Sequence, residues 1–228
     1  MMSVTLHYIY DPYCGWCYAA APLLSAAQAV AGLQIRLHGG GMMTGARRTQ
    51  VSPALRDYVI PHDLRIAQLT GQVFGENYFE GLLRDSSAVF DSAVPITAIL
   101  AAPALGVDAL NMLKAIQHAH YAEGLKVSEL DTLSAIAAQL GAEPANFRSS
   151  WHSLSGATTE QHIQQSRSLL TQLGGGGFPT LALEQDGQLQ RLDISPWLGK
   201  AEAFQQWLQN RSAAPSADSG VFCSMDGC

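Results

Sequence analysis

The chain has 228 residues, 47% of them hydrophobic, and a formal net charge of −6 at neutral pH. That is enough apolar material for one sizeable core, and scattered acidic residues without a basic stripe argue against nucleic acid as a partner. No apolar run reaches the roughly 18 residues that a membrane span needs, so no membrane partner is expected.

The N-terminus, MMSVTLHYIYD, passes almost directly into a strand. It lacks the ordered basic, apolar and small-residue regions of a secretory signal, so a cytoplasmic location is expected. Residues 4–10 are β-branched and aromatic and predict a buried strand. After the Asp11-Pro12 turn, an alanine-rich stretch from about Cys14 to Gly32 predicts a helix, which Pro22 should kink or cut short. Residues 33–38 alternate and predict a second strand, ended by Gly39-Gly40-Gly41. The result is a βαβ unit.

From 42 to 172 no convincing strand is found. Helical spacing occurs around 62–72, 77–85, 94–105, 109–123, 129–141, 143–153 and 159–173. Asp108 and Ser128 are placed as N-caps, Thr158 with Gln161 forms a capping box, and Gly106, Gly124 and Gly141 fall at helix ends. Then 178–184 and 188–194 read as a hairpin, and Ser195-Pro196 starts a last helix to about 210. Joining the ends gives an α/β chain with four strands in the order βαβ…ββα. The expected organisation is a discontinuous sheet domain of 1–41 and 174–211, a helical insertion of 42–173, and a tail of disordered composition over 212–228.

The chemistry concentrates in YDPYCGWCYAAAP, where Cys14 and Cys17 stand three positions apart at a strand-to-helix junction. Orphan N–H groups and the positive end of the helix dipole favour a thiolate on Cys14, the attacking nucleophile. One turn on, Cys17 shares its helix face and can resolve a mixed disulfide. Gly15 lets the tight ring form, and Trp16 borders a substrate groove. The alternative is half of a structural zinc site, which needs two more close ligands. Cys223 and Cys228 lie far away in the tail, and His118 and His120, two apart, do not share a helix face. The redox dithiol is the favoured reading, with no metal. In GGGGFPT, Pro179 opens a strand, where its missing N–H does no harm. A cis bond before it would expose the Phe178 backbone to an extended substrate, although a trans bond is the commoner state.

Together YDPYCGWCYAAAP, AIQHAHYAEG (115–124) and GGFPT (176–180) resemble motifs of the DsbA-like branch of the thioredoxin superfamily. The nearer similarity is to its cytosolic FrnE-related members, a predicted protein-disulfide isomerase group. The resemblance covers residues 4 to about 210. It implies a thioredoxin fold with a large inserted helical domain, Cys14 as nucleophile, Cys17 as resolving thiol and Pro179 as a cis-proline facing them, with Phe178 and Thr180 beside it. Asp11 matches an aspartate of these relatives and either caps the helix or tunes the thiols. The implied activity is thiol–disulfide exchange on protein or peptide disulfides, as reductase or isomerase. Glutathione or a thioredoxin-type protein would be the reductant, and no organic cofactor would be needed. Cys223 and Cys228 form a further candidate redox pair. Met42 and Met43 are candidates for the groove or for plain packing. A kappa-class-like glutathione transferase, a zinc-stabilised module and a chaperone-like module are the alternatives.

Overall fold

The computed structural model describes residues 4–213. Its main sheet has the strand order β2-β1-β5-β6, built from β1 (Val4–Tyr10), β2 (Leu33–Gly39), β5 (Thr180–Gln185) and β6 (Gln188–Leu192). β1 runs parallel to β2 and antiparallel to β5, and β5 pairs antiparallel with β6. All of β1 is buried, as expected for a central strand, while β2 alternates more. This is the thioredoxin fold expected from the sequence, with the intervening chain mostly helical.

Helix α1 (Gly15–Gln28) follows β1 and packs on α8 (Ala201–Ala213). Pro22 does not end it. The missing N–H at position 22 strands the Tyr18 carbonyl one turn earlier. Gln72 fills the gap, its Nε2 donating to Tyr18 O at 2.7 Å.

Between the sheet segments come α2 (Pro53–Thr70), α3 (Ala93–Ala101), α4 (Ala109–Tyr121), α5 (Leu130–Gln139), α6 (Pro144–Leu154) and α7 (Ala157–Gln172). Helix α2 starts well before the predicted 62, because Ser52 caps it and Pro53 sits in its first turn. It runs through Pro61, whose ring is exposed. A two-residue ribbon, β3 (Thr49–Gln50) with β4 (Val89–Phe90), occupies a stretch where no strand was expected. It is too short to leave an alternating pattern in the sequence.

Asp108 caps α4 as predicted, accepting from the Asn111 N–H at 2.9 Å. Two other predicted starts differ. Glu129 rather than Ser128 occupies the cap of α5, and α7 begins after Gly156 (φ +80°) without the Thr158–Gln161 box. Ser195-Pro196 opens only a 3₁₀ turn, and the last helix begins at Ala201, after Gly199 at φ +77°.

One continuous hydrophobic cluster joins the sheet to the helices, from Leu6, Tyr8 and Leu183 to Ile116, Leu133 and Phe147. Helix α7 lies against β2. Among the described residues no helix is long and apolar enough to cross a membrane. Cys223 and Cys228 lie outside the described residues.

Candidate active site

Cys14 is itself the N-cap of α1, in extended conformation (φ −91°, ψ 110°). Its Sγ accepts the Cys17 N–H at 3.3 Å, and its carbonyl accepts the N–H groups of Cys17 and Tyr18. One donor of the first helical turn, the Cys17 N–H, therefore points at this sulfur, in line with the dipole argument. The Cys14 thiol donates to the Phe178 carbonyl at 3.3 Å. Cys14 keeps 7% of its surface exposed and Cys17 none. Both are free thiols. Burial, and then the neighbouring Cys14, push the Cys17 thiol well above the ordinary cysteine range.

The Phe178–Pro179 bond is cis. Phe178 borders two recesses, and Pro179 borders only the second. Phe178 lines a cavity of about 250 Å³ together with Cys14, Trp16, Met42 and Met43. Phe178, Pro179 and Thr180 line an adjoining groove of about 450 Å³ with Gly176, Gly177 and the 191–195 turn. Thr180 is buried and donates to the Gly177 carbonyl. Trp16 stands at the cavity wall with the Arg65 guanidinium 5.9 Å from its ring centre.

Asp11 is fully buried and does not cap α1. Its carboxylate accepts the Tyr13 N–H at 2.9 Å, the Ser92 hydroxyl at 3.1 Å and the Met42 N–H, tying the dithiol loop to the chain after β2. Its own N–H donates to Cys17 Sγ at 3.5 Å. Burial raises the carboxyl to about 6, against the pull of those three donors. Arg167 of α7 holds the same chain from the other side, donating to the carbonyls of Gly40 and Gly41.

Two glycines sit at close contacts here. A Cβ on Gly15 would stand 2.7 Å from Asp63 Oδ1 and 3.1 Å from Ile66 Cδ1, so α2 approaches closely here and a larger residue would have to push those side-chain ends aside. A Cβ on Gly40 would fall 2.0 Å from the Phe178 ring. Gly40 is thus the seat of the residue whose carbonyl meets Cys14.

The matching family is the DSBA-like thioredoxin domain, over residues 5–202. The chain belongs to it. Among solved structures, this DSBA-like chain is similar to the cytosolic disulfide reductase DsbM from Pseudomonas aeruginosa. They share 53% identity and a TM-score of 0.86, covering 91% of this chain and 98% of that one. The same reductase with GSH matches at 50% identity and a TM-score of 0.84, with the same coverage of both chains. A structure from Nitrosomonas europaea, described as a candidate protein disulfide isomerase, shares the fold at 24% identity and a TM-score of 0.71, covering 91% of this chain and 97% of that one. No curated protein matches the chain. The family, the CxxC dithiol and the DsbM likeness make the DSBA-like chain a thiol–disulfide oxidoreductase.

Sequence reading missed most of the wall opposite the dithiol. Asp63 of α2, Tyr78, and His120 and Tyr121 of α4 all line the cavity. The Tyr78 hydroxyl donates to Asp63 Oδ2 at 2.9 Å. Burial lifts the Asp63 carboxyl to about 7, with that hydrogen bond working against it. Burial also drives His120 down to about 3. Its ring packs edge-on against Tyr13, Tyr78, Phe90 and Tyr121. His120 and Tyr121 fall inside the motif AIQHAHYAEG and could have been singled out there. Nothing local marks Asp63, one polar residue among several on a helix.

Proposed function

We propose that this DSBA-like chain is a cytoplasmic disulfide reductase that works through Cys14 and Cys17 and draws its electrons from glutathione. The observation that carries this reading is the placement of Cys14. It lies at the cap of α1, accepts the Cys17 N–H, keeps an exposed edge, and has Cys17 buried behind it. The Cys14 thiolate attacks one sulfur of a client disulfide, forms a mixed disulfide and expels the other sulfur as a thiolate, which takes a proton from water. Cys17 then gives up its proton, attacks the Cys14 sulfur and releases the second client thiol. Two glutathione thiols reduce the resulting Cys14–Cys17 disulfide and leave as glutathione disulfide.

The high proton affinity of Cys17 gives this order, because the resolving thiol stays protonated until the mixed disulfide stands beside it. Trp16 and Phe178 border the reacting sulfur. Pro179 and Thr180 shape the adjoining groove, along which an extended peptide pairs with the backbone. Asp11 positions the dithiol loop. The helical insertion, residues 42–173, supplies the wall opposite the dithiol through α2 and α4. The similarity to DsbM, solved also with GSH, supports both the direction of the reaction and the choice of reductant.

The test is a glutathione-buffer titration of the Cys14–Cys17 disulfide, followed by thiol trapping and mass spectrometry. A potential on the order of −200 to −270 mV is expected. Cys17→Ser is expected to accumulate a glutathione or client adduct on Cys14, and Cys14→Ser to form none. A dithiol that stays reduced at every buffer ratio would sink the reading.

A further inference from the structure

Thiol–disulfide exchange at Cys14 leaves the α2 and α4 side of its cavity without a task. That side is polar and one-sided in character. Asp63 is 3% exposed and its Oδ2 holds the Tyr78 hydroxyl, while among the described residues no hydrogen bond reaches its Oδ1. His120 is 1% exposed, and its Nδ1 has no partner. Burial keeps the imidazole neutral, so one of its ring nitrogens is an acceptor. Among the described residues no lysine or arginine lines the cavity. The remaining walls are chiefly apolar, from Met42, Met43, Leu55, Val59 and Ile66.

A carboxylate oxygen left open toward a cavity is an acceptor that a ligand's N–H groups can use. A carboxylate with one open oxygen at the end of an apolar passage matches a cationic tip on a short carbon stem. The separation from the reacting sulfur is short. Asp63 Oδ1 comes within 2.7 Å of the Cβ position on Gly15, the residue next to Cys14. Asp63 and Cys14 thus line one cavity, with Asp63 packed against the residue next to the thiol.

We propose that the cavity selects disulfides bearing a primary ammonium a few carbons from the sulfur, held by Asp63 while Cys14 attacks. This deepens the disulfide-reductase reading and rests on it. The ammonium comes from a small aminothiol disulfide or from a lysine beside the cysteine of a peptide. Asp63, being about half protonated near pH 7, gives up its proton to solvent when the ammonium docks. The chemical step is unchanged. Cys14 forms the mixed disulfide with the sulfur nearer the cavity, and the other sulfur leaves as a thiolate that water protonates.

The experiment compares glutathione-coupled reduction of cystamine and of bis(2-hydroxyethyl) disulfide, which match in length and differ in the tip. The uncatalysed exchange of each with glutathione corrects for intrinsic reactivity. For the wild-type protein the corrected kcat/KM ratio is expected to favour cystamine by about tenfold or more, the scale of a charge-assisted hydrogen bond. Asp63→Asn is expected to bring that ratio close to one. A corrected wild-type ratio near one overturns the proposal, whether or not the variant folds. So does a variant that slows both substrates equally, which would mark Asp63 as structural. Failure of the wild type to reduce either disulfide would instead strike the reductase reading beneath it. Disulfide-linked peptides with lysine or norleucine beside the cysteine separate the two sources. A lysine preference lost in Asp63→Asn assigns the pocket to peptides, and a preference confined to cystamine assigns it to small aminothiols.

Discussion

Asp63→Asn tests the energetics of the buried carboxyl independently of any substrate. In the unfolded chain an aspartate titrates near 3.9, whereas the folded Asp63 titrates at about 7 because burial penalises its charge. Between those values the folded state binds more protons than the unfolded state, so stability falls as pH rises. The penalty is absent below about pH 4, grows through neutrality and is complete above about pH 8. A difference of about three pH units corresponds to about 4 kcal/mol, reading the two values at 1.36 kcal/mol per unit.

Asparagine keeps an acceptor for the Tyr78 hydroxyl and carries no charge. The variant and the wild type are therefore expected to have similar stabilities at pH 4. The variant is expected to be more stable by up to about 4 kcal/mol at pH 8.5. Urea denaturation of both proteins at the two pH values, under reducing conditions, gives the quantity as a double difference. Asp11, raised to about 6, contributes equally to both proteins and cancels. A stability gap that does not widen with pH would refute the reasoning, because it would mean that the carboxyl is solvated or paired in the folded state.

Two further changes test the packing around the site. Gly40→Ala drives a methyl into the Phe178 ring and is expected to cost about 1–3 kcal/mol of stability by overpacking. It is also expected to lower kcat/KM for disulfide reduction by displacing the Phe178 carbonyl from Cys14, and a variant with unchanged kinetics would contradict the seat assigned to Gly40. His120→Phe tests the acid side. The folded imidazole titrates at about 3 and the unfolded one near 6.5, so His120 by itself removes about 3 kcal/mol of stability between pH 7 and pH 4 as the unfolded state gains a proton, while Asp11 and Asp63 act in the opposite direction in both proteins. The stability difference, wild type minus variant, is therefore expected to fall by about 3 kcal/mol from pH 7 to pH 4, as read by urea melts of both proteins across the range.

The dithiol and its frame were legible in the sequence because they are written in local pattern. Residues 4–10 and 33–38 carry strand composition, and the turn at Gln185-Asp186-Gly187 joins two short apolar runs. Cys14 precedes a helix-forming stretch, and the dipole at a helix start acts on whatever residue stands there. The family resemblance added the cis bond at Pro179, which no local rule favours. Helix starts were read less well where loose sequence rules competed, as at Ser128 and Thr158. At α2, Pro61 looked like a boundary but faces solvent and leaves the helix intact.

What only the tertiary structure decided is the set of contacts between segments far apart in the chain. Gln72 supplies the hydrogen bond that Pro22 denies to Tyr18, so a residue that should break α1 is tolerated. Gly15 reads as ring chemistry in sequence and proves to lie close against Asp63, while Gly40 proves to be the seat of Phe178. Asp63 became a candidate for function only when α2 brought it to the cavity at Cys14 and stripped it of water. A side chain's type and its place in a local pattern are properties of the sequence. Its desolvation and its partners depend on which distant segments close over it, and here those set the proton affinities and the polarity of the site.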